Sequence, residues 1–175
     1  MYKTLRIRLF ILVGLLFFSF TSFAQLLVEN FNFTGNLSAN GWSAHNAGGT
    51  NAIAASGAGL TYSGYGGSGI GNAASMTTSG EDVNRALSSG ISYGSVYSAF
   101  LINVSAAQNT GDYLFHLSTG PQNTSSYVGR VFIKNSGSNF QFGLAMTTGT
   151  VSYTSGTYNF GETYLVVLKY TIVSG

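Results

Sequence analysis

The sequence predicts an all-β protein built as an antiparallel two-sheet sandwich. Three observations carry that expectation. Apolar runs that alternate, or that are rich in β-branched and aromatic residues, recur through the second half of the chain, and period-2 patterning marks strands. Clusters of Gly, Asn, Ser and Thr such as "QNTGD", "NSGS" and "TTGT" separate the runs, and these residues favour turns. Beyond the first 24 residues no stretch repeats apolar positions at i, i+3, i+4 and i+7 over three turns, so helical signals are nearly absent.

The first element is a leader. Lys3, Arg6 and Arg8 precede the apolar run Leu9–Phe20, and Ser22 and Ala24 form a small-x-small ending. That order is the pattern of a secretory signal peptide. The run falls short of the ~20 apolar residues that span a bilayer. Cleavage is expected after Ala24, which makes Gln25 the first mature residue and places the protein outside the cell or on its outer surface. Residues 25–175 then form one domain, large enough to bury a sizeable core.

The strands follow in order. "LLVENF" (Leu26–Phe31) reads as an opening strand. Residues 35–80 are rich in Gly, Ala, Ser and Asn and read as irregular loops with short edge strands. "EDVNRALSSG" (Glu81–Gly90) reads as one short helical turn or a loop. "SVYSAFLINVSA" (Ser95–Ala106) is apolar on both faces, which suits a sheet interior. "DYLFHLS" and "GRVFIKNS" follow, the latter alternating Arg130, Phe132 and Lys134 against Val131 and Ile133. "SNFQFGLAM" sets Phe140, Phe142, Leu144 and Met146 on one side. "ETYLVVLKYTIV" (Glu162–Val173) is long, β-branched and aromatic. A strongly apolar last strand without a following partner is an exposed edge, so a domain completed by further residues is expected.

Composition narrows the function. The chain of 175 residues carries a formal charge of +2, but three of its seven basic residues lie in the leader. The mature chain keeps Arg85, Arg130, Lys134 and Lys169, four bases against five acids, a net charge of −1. No basic patch is left to neutralise phosphates, which speaks against nucleic acid as a partner. There is no Cys, so the fold rests on its apolar core and not on disulfides. Only 7% of residues are charged, yet 45% are hydrophobic, so the chain is not of disordered composition.

Gly64, Gly66 and Gly69 spell G-x-G-x-x-G. No helical stripe follows in "IGNAASMTTSG", and a phosphate loop needs a helix N-terminus there. The glycines are expected to serve a tight loop. Glycoside hydrolysis needs two facing acids. Glu81 and Asp82 are adjacent and would point to opposite faces of a strand, while Glu29, Asp112 and Glu162 are isolated in sequence. His45 and His116 lie far apart along the chain, without metal-ligand spacing; His116 is expected to be half-buried with a backbone partner. "GED" at Gly80–Asp82 offers part of a calcium site at most, so no cofactor is assigned. No G-x-S-x-G elbow sits between a strand and a helix. Arg130 and Lys134 share a strand face, expected to be solvated. Trp42, Tyr62 and Tyr65 lie among Asn40, Asn46 and Asn72. They are either a stacking platform for a glycan or packing aromatics.

The ordered set "VENFNFTGNLSANGW", "GLTYSGYGGSGIGNA", "SGEDVNRAL", "SVYSAFLINVSAA", "GDYLFHLS", "GRVFIKNSGSNFQFGLA" and "TYLVVLKYTIVSG" resembles the laminin-G-like, concanavalin A-like jelly-roll modules of large secreted or surface proteins of Bacteroidetes-type bacteria. The resemblance implies two curved antiparallel sheets and a hairpin partner after the last strand. It also implies further C-terminal domains, among them a sorting domain for outer-membrane (type IX) export. The fold hosts lectins, hydrolases and structural modules alike. The expectation is a non-enzymatic adhesion, polysaccharide-binding or structural module. The alternative is a secreted glycoside hydrolase of the same fold.

Overall fold

The computed structural model describes residues 25–120 and 126–173. Residues 1–24, where a leader is expected, lie outside the described residues. Twelve strands and one short 3-10 helix, Leu37–Ala39, make up the regular structure of the described part. All strand pairings among them are antiparallel. The protein is an all-β sandwich, as the period-2 runs require.

The first half carries short strands: β1 (Gly35–Asn36), β2 (Ser43–Asn46), β3 (Ala54–Ser56), β4 (Ala73–Ser75) and β5 (Asp82–Asn84). β1, β3 and β4 form one small sheet, and β2 pairs with β5. Leu37, Ile53 and Ala55 are buried between these elements, packed by Phe31, Phe33, Trp42 and Val83. The Glu81–Gly90 segment enters β5 and continues as loop rather than as a helical turn.

The second half carries β6 (Gly94–Asn103), β7 (Asp112–Ser118), β8 (Tyr127–Ser136), β9 (Asn139–Ala145), β10 (Ser152–Tyr153), β11 (Tyr158–Asn159) and β12 (Thr163–Ile172). β7, β8 and β9 run as a meander, and β10 and β11 both pair with the far edge of β9. β6 and β12 form a ten-residue ribbon without register shifts, from Thr163 opposite Asn103 to Ile172 opposite Gly94. The ribbon lies on the meander, where the Phe100 and Phe115 rings meet at 4.9 Å. Beyond it Phe140, fully buried, is ringed by Phe142, Tyr158, Phe160 and Tyr164 at 5.0–5.8 Å. Burying one such ring contributes about 1.5–3 kcal/mol, and each aromatic pair adds ~0.5–1.5 kcal/mol.

Two strand expectations are corrected. Leu26–Phe31 is not a strand. Glu29 Oε1 captures the Phe31 N–H at 2.8 Å and Phe31 turns to φ +48°, outside the extended region that a ladder needs. β6 does not sit inside a sheet: among the described residues it pairs only with β12, and Tyr97 on its outer face is 64% exposed. Its two apolar faces mark a ribbon packed on one side, with aromatic and aliphatic side chains left on the other.

Candidate functional site

Three irregularities in strand register build one cluster. On β7 and β8, Tyr113 pairs with Phe132 and Phe115 with Val131, so β7 holds one extra residue. Then Leu117 pairs with Val128, and the extra residue is on β8. There Gly129 takes φ +55°, the left-handed turn that glycine adopts without penalty in a bulge. A bulge converts a spacing of three into a shared face. Tyr113 and His116 of β7 therefore come together with Tyr127, Arg130 and Phe132 of β8. The opposite face, at Gly129, looks onto Leu168 and Tyr170 of β12.

The third irregularity is on β2. Ala44 pairs with Val83 and Asn46 with Asp82, which leaves His45 as the unpaired residue between them. Its ring reaches the meander, 6.0 Å from His116 and 6.2 Å from Tyr127. Two histidines far apart in sequence are thus neighbours in space. β5 adds Asp82 and Asn84. Tyr113 Oη donates to Asp82 Oδ2 at 3.0 Å, and Asn46 Nδ2 donates to the same oxygen at 3.1 Å.

Arg130 is the centre of the cluster. Its guanidinium carbon stands 4.4 Å from the centre of the Tyr113 ring, 4.8 Å from that of Phe132 and 5.8 Å from that of Tyr127. Phe132 is 7% exposed, while Tyr113, His116 and Tyr127 are half-buried. The face expected to be solvated at Arg130 is instead an aromatic bed. Lys134, further along, lies 5.2 Å from the Tyr153 ring centre.

Two nitrogens here are buried without an acceptor, Arg130 Nε and His45 Nε2. The His45 tautomer follows from its neighbour. Asn84 Nδ2 donates one hydrogen to the Ser43 carbonyl at 3.1 Å and faces His45 Nδ1 at 3.0 Å. Nδ1 therefore accepts, and the proton of the neutral ring sits on Nε2. Both orphans are donors. His116 Nδ1 bonds the Leu117 carbonyl at 3.2 Å, the backbone partner expected for it. Burial, more than the neighbouring His45 and Arg130, pushes the His116 pKa below 6.5, against the pull of that carbonyl. Burial, then the Asp82 carboxylate, pushes the Tyr113 hydroxyl well above its ordinary range.

The other singled-out residues are placed elsewhere. Trp42 stacks on Phe31 at 6.1 Å, and its Nε1 donates to Glu29 Oε2 at 3.0 Å. Tyr62 is 41% exposed in its loop, and Tyr65 Oη reaches the Ala99 carbonyl at 3.5 Å. Trp42 thus belongs to the small core, apart from the two tyrosines. Gly64 and Gly69 take φ +79° and +71° in a loop that leads into β4, not into a helix.

The carboxylates are largely committed. Glu29 pairs with Arg85 as well as Trp42. Glu81, 5% exposed, accepts the Gly49 and Ile53 N–H groups. Glu162 accepts from Asn159 and Tyr164, which holds its carboxyl below 4.5. Among the described residues no group of three or more His, Cys, Asp and Glu side chains is arranged for a metal ion.

A separate cleft of about 490 Å³ opens between β9–β11 and β12. Phe142, Leu144, Tyr158, Tyr164, Leu165 and Val167 line it. It continues the interlayer core and has no charged lining.

No protein-family model, no curated protein and no solved structure matches this chain.

Proposed function

We infer that the protein is a non-enzymatic, exported carbohydrate-binding module of jelly-roll type, and that its binding face is the bulged cluster on β7 and β8. The carrying observation is the combination of partly exposed, largely buried Tyr113, His116 and Tyr127 rings with Arg130 set among them. Sugars stack their C–H faces on such rings and direct hydroxyls to planar polar groups such as Asn84. The commitments of Glu29, Glu81 and Glu162 to local donors support binding over hydrolysis, since hydrolysis needs two carboxylates free to face one bond. Export is supported by the leader pattern, and the surface setting by the resemblance to laminin-G-like modules.

Binding to a panel of immobilised polysaccharides tests the reading. Tyr127→Ala and His116→Ala should weaken retention at least tenfold, and Tyr62→Ala should leave it unchanged. Loss of binding in Tyr62→Ala alone would move the site to the first-half loops. Turnover of any polysaccharide would replace binding by hydrolysis.

A further inference from the structure

We propose that the Arg130 face selects acidic glycans, taking the carboxylate of a uronic acid residue on the guanidinium. The inference rests on the carbohydrate-binding reading of that face and names its ligand class. The only ion pair among the described residues joins Arg85 to Glu29. Arg130 has none. Its cation is partly withdrawn from water, stacked on Tyr113 and Phe132, and its Nε–H is buried without an acceptor.

A cation held this way is costly unless a counter-charge arrives. The one carboxylate of the cluster, Asp82, already accepts from Tyr113 and Asn46 through the same oxygen. A partly accessible cation without an ion pair calls for an anionic acceptor. The planar guanidinium fits a carboxylate through paired N–H groups. The adjoining rings supply the stacking surface that a pyranose requires, so a sugar acid satisfies both halves of the site at once.

The test is affinity for oligogalacturonate, for the same oligomers fully methyl-esterified, and for a panel of neutral glucans, measured by calorimetry. The wild-type protein should bind the free acid about tenfold or more tighter than the ester, with affinity falling as salt is raised. Arg130→Gln should erase the preference for the acid while retaining binding to the ester. Arg130→Lys keeps the charge but not the planar fork, and should retain part of the preference. Arg130→Lys also serves as the working variant if Arg130→Gln does not fold. Equal affinity for acid and ester, or binding to neutral glucans alone, would overturn the charge selection and leave the carbohydrate reading standing. Failure to bind any of the three ligand sets would overturn both.

Discussion

The Arg130 guanidinium carbon sits over the Tyr113 ring, 4.4 Å from its centre, while the hydroxyl of that same tyrosine donates to Asp82 at 3.0 Å. One side chain thus joins the meander to the β2–β5 pair. A hydrogen bond to a charged group contributes about 1.5–3 kcal/mol. Asp82 is half-buried and keeps Asn46, so Tyr113→Phe should cost on the order of 1–2 kcal/mol. Urea unfolding would read this as a lower midpoint with an unchanged slope. A neutral result would show that the Asp82 contact adds nothing to folding.

Gly129→Ala tests the bulge. Alanine at φ +55° costs ~1–3 kcal/mol, and its Cβ would stand 3.3 Å from Tyr170 and 3.4 Å from Leu168. The melting temperature should fall by several degrees, and polysaccharide binding should weaken because Tyr127 loses its register with Arg130. Binding retained at full strength would show that the bulge does not set the face.

Glu81→Leu removes the acceptor for two backbone N–H groups, those of Gly49 and Ile53. Each orphaned donor costs about 1–3 kcal/mol. A loss of roughly 2 kcal/mol or more is expected, far above that of an ordinary surface change. Glu81→Gln keeps one acceptor oxygen and should fall in between.

Acid should weaken the fold through His116. Its pKa lies below 6.5 in the folded state because the ring is buried. The unfolded chain therefore binds more protons as pH falls through 6.5, and stability drops from there down to the folded-state value. Glu162 acts in a lower window: its stabilisation is present above 4.5 and is lost below. Urea midpoints between pH 7 and pH 5 should decline in the wild-type protein and level out in His116→Gln. Parallel slopes in the two would remove His116 as the source.

Trp42→Ala should behave as a core truncation. The indole packs beside the Leu37–Ile53–Ala55 core and bonds Glu29, and such losses run ~3–5 kcal/mol for buried rings; the lower end fits its half-buried setting. A stable Trp42→Ala variant that no longer binds polysaccharide would return the platform to this residue.

The long strands were legible because their periodicity is clean. Phe140 and Phe142 in "SNFQFGLAM" and the β-branched run of β12 announce buried faces without help from the rest of the chain. The site was not legible, because most of its residues sit beside a break in that period. Tyr113 and His116 are three apart, as are Tyr127 and Arg130, and strict alternation sends such pairs to opposite faces. His45 is itself an inserted residue. The available signal was Gly129, an isolated glycine within a strand pattern, which marks a bulge. Leu26–Phe31 was misread because one glutamate side chain diverted a segment of strand-like composition into a turn.

The β6–β12 ribbon joins segments that bracket the whole β7–β11 meander. Its closure has to wait on a large loop, whereas β7, β8 and β9 meet through near neighbours in sequence. Assembly should therefore start from the meander hairpins, with the ribbon zipping last over a preformed layer. On that order of events the aromatic bed around Arg130 takes shape before the β6–β12 clasp is fastened.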